Sequence, residues 1–257
     1  MTTTMVRQVD RHDVSDDTTY ADTRRQKAGG VAALYLALAL VAAIPYFLLV
    51  VDYPGASTAT DKVELILDNF ASMYAMHLAT YVVFGIALSA LALALRDRLH
   101  TQAPATVRVA TGIGLLWSFA LVASGLVFTQ GMTAIDALSA TGRAQAVTAW
   151  QAIEPVADGL GGAGGEILGG LWVLLVSLVA LRGRALPRAL GWLGVVVGVV
   201  GLVSVVPALR DAAIAFGMLE IVWLAWIGIV LIATRAPAVA DGPSGSTAST
   251  DGALVGS

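Results

Sequence analysis

The sequence predicts an all-α fold: a polytopic membrane protein, a six transmembrane helix bundle with both termini cytoplasmic. Two observations predict it. Six apolar stretches approach the roughly 20 residues that a helix rising ~1.5 Å per residue needs to cross a ~30 Å hydrocarbon core. Lys and Arg between those stretches also fall on alternate sides. Composition agrees: 57% of the chain is hydrophobic, only 13% is charged, and mean hydropathy is +0.79. A soluble domain carries about 25% charged residues.

The predicted spans run at about Gly29–Val51, Ser72–Leu95, Val109–Gln130, Leu160–Leu181, Ala189–Leu209 and Ala212–Thr234. With the N-terminus inside, Arg7, Arg11, Arg24, Arg25, Lys27, Arg96, Arg98, Arg108, Arg182, Arg184, Arg188 and Arg235 all lie in inner segments. Only Lys62, Arg143 and Arg210 lie outside. Twelve of the 15 cationic residues on one side orient the bundle and place it in the plasma membrane as a multi-pass protein. Val41-Ala42-Ala43 has the small-residue pattern of a cleavage site. The polar segment before it is long and Asp-bearing, however, and the apolar run continues past it, so the first span reads as retained.

Residues 1–28 are polar and read as a disordered cytoplasmic tail, 29–235 as the membrane domain, and 236–257 as a second disordered tail rich in Gly, Ser, Thr and Ala. Short inner loops at Arg96–Arg108 and Arg182–Arg188 predict antiparallel neighbours. In the first outer loop, Asp61–Tyr74 reads as an amphipathic helix with Val63, Leu67, Phe70 and Tyr74 on one face. In the second, Gly131–Gly159, the Ala-rich stretch Ala140–Ile153 predicts a surface helix ended by Pro155. Both are expected to cap the bundle, with lids over a cavity as the alternative.

Gly191, Gly194, Gly198 and Gly201 share one face of the fifth span, and Gly161, Gly165 and Gly169 one stripe of the fourth. Small residues let helix backbones approach closely. These faces suit packing within the bundle or a homo-oligomer. Pro45 and Pro207 are expected to kink the outer ends of their helices. Trp172, Trp192, Trp223 and Trp226 read as apolar anchors, several of them near interfaces.

Three ionisable side chains lie inside spans: His77, Glu166 and Glu220. They fall five, six and eight residues from the predicted outer ends, roughly 8–12 Å deep. An acidic residue at a helix centre costs about 2.5–3.5 kcal/mol on insertion scales, so such groups face a partner, the bundle interior or a wet cavity. Tyr74, His77 and Tyr81 form one stripe, and His77 is the natural partner for a carboxylate. The candidate polar pocket is therefore His77, Glu166, Glu220, Tyr74 and Tyr81. Glu166 is expected on a nearly bare helix face between Gly162 and Gly170.

Cysteine is absent, which excludes disulfides and thiolate chemistry. No H-E-x-x-H pair, phosphate loop or pair of membrane His residues for haem occurs, so no metal, cofactor or catalytic residue is assigned. Ala123-Ser124-Gly125 has no later His in a span, and Ser124 is expected to bond to its own helix backbone. His12 and His100 fall in polar inner segments. No basic cluster points to nucleic acid; the partner is the lipid bilayer, and the substrate is open.

Lys27-Ala28-Gly29-Gly30-Val31-Ala32-Ala33-Leu34-Tyr35-Leu36 and Leu186-Pro187-Arg188-Ala189-Leu190-Gly191 carry a family likeness. Together with the order of spans they resemble the domain of unknown function 4386 family of prokaryotic membrane proteins, over roughly Ala28–Arg235. The resemblance implies six helices and carries over no activity or functional residue. Three readings stay open: a binding or transport-type protein with an outward polar pocket, a non-catalytic protein acting through partners, and a membrane-embedded enzyme.

Overall fold

The computed structural model of the protein describes residues 3–161, 166–209 and 211–234, with side chains from residue 23 onward. These residues are all-helical, with no strand among them. Helix α1 (Thr3–Pro45) passes through a π-helical turn at Tyr46–Val50. A 3-10 turn, α2 (Ala59–Asp68) and α3 (Phe70–His77) come after it. A second π-helical turn, Leu78–Val83, joins α3 to α4 (Phe84–Leu99). Next come α5 (Pro104–Ser139), α6 (Arg143–Gly161), α7 (Ile167–Gly183), α8 (Arg188–Val203) and α9 (Ala212–Ala233).

Four segments are long and apolar enough to cross a membrane: Thr23–Val50, Phe70–Leu99, Pro104–Ser139 and Ala212–Ala233. The fourth and fifth predicted spans are shorter than expected. At ~1.5 Å per residue, α7 and α8 reach roughly 24–26 Å. Leu160 belongs to α6, and Glu166 stands at the N-terminal boundary of α7 with non-helical φ −88° and ψ 58°. The expected placement of Glu166 within a helix is therefore corrected. The segment between α6 and α7, where Gly162 and Gly165 fall, lies outside the described residues. At the far end α8 stops at Val203, and Pro207 opens a 3-10 turn instead of kinking a continuous helix. The backbone of α1 is helical from Thr3, within the stretch read as a tail. The second tail, 236–257, lies outside the described residues.

The bundle rests on close backbone crossings. A Cβ on Gly170 would sit 2.9 Å from the Gly198 carbonyl oxygen and 3.0 Å from the Gly201 carbonyl carbon. Gly30 and Gly228 make the matching crossing between α1 and α9, each 2.9 Å from the other's carbonyl by the same measure. Gly191, Gly194, Gly198 and Gly201 are all buried inside the protomer. Around these seams Trp117, Trp172 and Trp223 form an aromatic series, with ring centroids 5.9 and 5.8 Å apart. Trp172 and Trp223 are thus core residues, only 1% exposed, and not interfacial anchors. Trp192 does face outward.

The two ends of the bundle differ. At one end Arg98 donates to Gln26 Oε1 and Thr234 Oγ1 at 3.0 Å each and to the Ala185 carbonyl. Gln26 Nε2 in turn donates to the Leu231 carbonyl at 2.8 Å. This network ties α1, α4, the α7–α8 turn and the end of α9, and it satisfies carbonyls that helix ends leave open. The other end carries a cap with its own core. α5 is 36 residues, roughly 54 Å, and so outruns a bilayer. Its far end buries Phe128, Met132 and Ile135 against Ala146, Trp150 and Ala157 of α6 and Val63 and Ile66 of α2.

Three expectations about the cap are corrected. The buried face of α2 and α3 is Val63, Ile66, Met73 and His77, while Leu67, Phe70 and Tyr74 lie at its rim. Asn69 breaks the expected single helix in two, and Thr58 and Asp61 form a capping box at the start of α2. Pro155 sits inside α6 and does not end it. The carbonyl it deprives of a partner is that of Gln151, an exposed residue, where water can serve.

The seams make a testable contrast. Gly170→Val drives a side chain into the α8 backbone and is expected to cost at least about 1–3 kcal/mol. Gly112, in α5, has open space for at least 4 Å around the position a Cβ would take, so Gly112→Ala is expected to stabilise by about 0.5–1 kcal/mol. Thermal unfolding in detergent, read by tryptophan fluorescence, checks both.

Candidate functional site

Six parts of the bundle frame a cavity of about 170 Å³ towards the capped end. α1 and its π turn contribute Leu40, Ala43 and Phe47, and the second π turn contributes Thr80 and Tyr81. α4 gives Phe84, α5 gives Trp117 and Leu121, the start of α7 gives Glu166, and α9 gives Glu220. The cavity has room for several water molecules. It is smaller than the roughly 300–1,000 Å³ of a drug-sized ligand site.

The π turns explain how the walls arise. The Phe84 N–H bonds five residues back to the Ala79 carbonyl, which widens the helix at Tyr81. Tyr35 of α1 also donates its hydroxyl to that carbonyl, at 2.7 Å, and so locks the turn to the neighbouring helix. Opposite, Gly125 of α5 leaves room for Tyr81: a Cβ there would lie 2.6 Å from the Tyr81 Cβ. The Thr80 hydroxyl donates to the Met76 carbonyl of its own helix at 2.7 Å.

The two carboxylates are held differently. Glu166 is anchored through its backbone: its N–H donates to Ser204 Oγ at 3.1 Å, and its carbonyl accepts from the Gly170 N–H at 2.9 Å. Ser204 is fixed in turn by donating to the Gly201 carbonyl. The Glu166 side chain, half-buried, makes no hydrogen bond or ion pair with the described residues. Glu220 is 3% exposed, and its Oε1 is buried without a hydrogen-bond partner among the described residues. Leaving a buried polar group unsatisfied costs about 1–3 kcal/mol, more for a charged one.

The expected five-residue pocket therefore resolves into parts. Glu166, Glu220 and Tyr81 meet on one cavity. His77 and Tyr74 are not among its lining residues. The His77 ring stacks on Phe128 at 3.7 Å and 12°, lies parallel to Tyr81 at 5.7 Å, and meets Phe47 edge-on at 5.2 Å. Its Nδ1 is 2.8 Å from the Met73 carbonyl, one turn back. The expected His–Glu pairing is absent among the described residues, because the ring is enclosed by aromatic faces and its own helix. Tyr74 packs on Phe70 at the rim of the cap. Among the described residues no three His, Asp or Glu side chains gather to hold a metal ion.

Sequence reasoning missed two features. Phe47, Thr80, Phe84 and Trp117 were unremarked as apolar-helix residues, and no local signal announces a π turn. The second is a polar cluster in the cap, where Lys62 reads from sequence only as an outer charge. Its Nζ lies 2.6 Å from Glu154 Oε1, and Tyr53 donates its hydroxyl to the same oxygen at 2.7 Å. The ammonium also sits 5.2 Å from the Tyr53 ring centroid. Burial first, and then the Glu154 hydrogen bond and charge, push the Tyr53 hydroxyl above its ordinary range. Asp158, one turn along α6, is raised by burial and by Glu154, with Lys62 opposing. Ser124 is corrected as well: it reaches across to the Ala157 carbonyl of α6 at 2.7 Å instead of bonding to its own helix.

No family model, curated protein or solved structure matches this chain.

The Lys62–Glu154–Tyr53 cluster joins α2 to α6, so its loss should loosen the cap and spare the bundle. Glu154→Leu is expected to lower the opening free energy of residues 52–69 by about 1.5–3 kcal/mol, the range for charged hydrogen bonds. Hydrogen exchange resolved by segment would show faster exchange there and unchanged protection in α5 and α9.

Proposed function

We propose that the protein is a multi-pass plasma-membrane protein that binds a small cationic solute or a proton in the Glu166–Glu220 cavity and carries it in a transport-type cycle. The observation that carries this reading is Glu220: a carboxylate 3% exposed, one oxygen unpartnered among the described residues, lining a cavity that a second carboxylate also lines. An ionisable residue inside a membrane-spanning helix is costly, and one that lines a cavity together with a second carboxylate is a candidate binding group.

The topology proposed with it has six spans and cytoplasmic termini. The charge asymmetry supports that, as do α7 and α8: neither carries an ionisable residue away from its inner end, and they pack as an antiparallel pair between α5 and α9. Roughly 24–26 Å suffices when flanking residues snorkel or the bilayer thins. In this orientation the cap and cavity lie in the outer half. The Leu186–Gly191 segment, at the inner turn between α7 and α8, supports membership of the domain of unknown function 4386 family.

Glu220→Gln and Glu220→Met decide between binding and structural roles. In proteoliposomes with imposed gradients, H⁺, Na⁺ and K⁺ fluxes are read with ion-sensitive dyes. Both variants are expected to lose flux at least about tenfold, and Glu220→Met to gain about 1–3 kcal/mol in stability through loss of the unsatisfied group. Unchanged flux with a lower unfolding temperature would overturn the reading and make Glu220 structural.

A further inference from the structure

We infer that the ligand of this cavity is a compact alkylammonium ion, an amine or quaternary ammonium of a few carbons. This rests on the cavity reading above and narrows it from cations in general to one chemical class.

Four of the residues lining the cavity are aromatic: Phe47, Tyr81, Phe84 and Trp117. Leu40, Ala43 and Leu121 complete the apolar wall, and Glu166 and Glu220 bring its carboxylates. Among the described residues no Lys, Arg or His lines it. The polarity of the ligand follows. An anion would meet two acids and no counter-charge. A neutral apolar guest would leave both carboxylates without a counter-charge. A cation is the charge that both carboxylates and the negative faces of aromatic rings attract together.

The size and wall chemistry then separate kinds of cation. Calcium asks for six to eight oxygen ligands, and magnesium for an octahedron of them. Beyond the carboxylates the walls offer two hydroxyls, Thr80 and Tyr81, and the other lining side chains are apolar. Alkali ions gain little from such walls. A bare proton needs no space of about 170 Å³. An alkylammonium uses every part: its charge meets the carboxylates, its methyl or methylene groups bury against Leu40, Leu121 and the rings, and its positive surface faces the aromatics. The volume sets the ceiling at a few carbons, below the drug-sized range.

Purified full-length protein in detergent, titrated by calorimetry and by ligand-induced thermal shift, tests this. The probes are methylammonium, trimethylammonium and tetramethylammonium chloride, with tert-butanol as a neutral counterpart of similar shape and NaCl and KCl as inorganic cations. At least one alkylammonium is expected to bind saturably at least about tenfold tighter than Na⁺ or K⁺, with no binding of tert-butanol. Phe84→Leu is expected to weaken it about 3- to 30-fold, the effect of one desolvated cation–π contact, and Glu220→Gln to weaken it at least about tenfold. If Phe84→Leu does not fold, Trp117→Leu replaces it. Binding of Na⁺, K⁺ or a proton that depends on Glu220, with none of any alkylammonium, would overturn the alkylammonium assignment and leave the cation-site reading standing. No binding of any cation would overturn both.

Discussion

Everything in this bundle depends on how closely backbones can approach where side chains are missing. Lipid offers helices no hydrophobic reason to associate, so contact area and close crossing must do it. Gly170 against Gly198 sets α7 on α8, and Gly30 against Gly228 sets α1 on α9. Phe216 and Trp223 of α9 then reach the Gly194–Gly201 face of α8. With both neighbours of α9 fixed at such short range, its rotation is fixed too, and the face that carries Glu220 is turned inward. The large rings of Trp117, Trp172 and Trp223 fill the middle of the bundle. The space left over lies beside Trp117, where Glu166 and Glu220 stand.

The contrast between His77 and Glu220 shows how one kind of residue can be spent and another held open. Both are almost wholly buried, at 4% and 3% exposure. His77 has a carbonyl at Nδ1 and aromatic rings on its faces, so its imidazole behaves as a polar-tipped aromatic completing a packed layer. Glu220 lines a cavity and, among the described residues, has no partner for Oε1. A penalty of about 1–3 kcal/mol is a large share of the roughly 5–15 kcal/mol by which domains are stable. A helix that needed only packing at this position would carry Leu.

Helices and small-residue seams were readable in the sequence because those signals are additive along a chain: hydropathy over a whole span, and Gly at intervals of three and four. Gly191–Gly201 packs where the spacing places it. Glu166 and Glu220 were found by the same logic, as costly residues in apolar runs. The rest failed where tertiary contacts override local rules. Glu166 stands at the start of α7 with non-helical backbone angles, where hydropathy alone placed it in the middle of a helix. Trp172 and Trp223 look like interfacial anchors in composition, but they are buried because facing Gly114 and Gly194 make room. The stripe Tyr74–His77–Tyr81 assumes about 3.6 residues per turn. The π turn at Leu78–Val83 rotates the rest of the helix relative to that count. Tyr81 and His77 still lie parallel at 5.7 Å across the turn, but Tyr81 lines the cavity and His77 is not among its lining residues.

The same π turn makes His77 a joint between two cores. Phe128 belongs to the cap core with Met132 and Trp150, and Tyr81 packs at the edge of the bundle core and lines the cavity. His77 stacks between them, with Phe47 at its side. Ser124 ties the cap to the bundle through a polar bond to Ala157, whereas the cap's interior is packed hydrophobically. The unbroken α5 also runs through both, giving Trp117 and Leu121 to the bundle core and Phe128, Met132 and Ile135 to the cap core. The cap is therefore joined to the bundle by a continuous helix as well as by these side chains, and its ring contacts end on Tyr81 and Phe47, at the aromatic wall of the cavity, while Glu166 and Glu220 are held from α7 and α9.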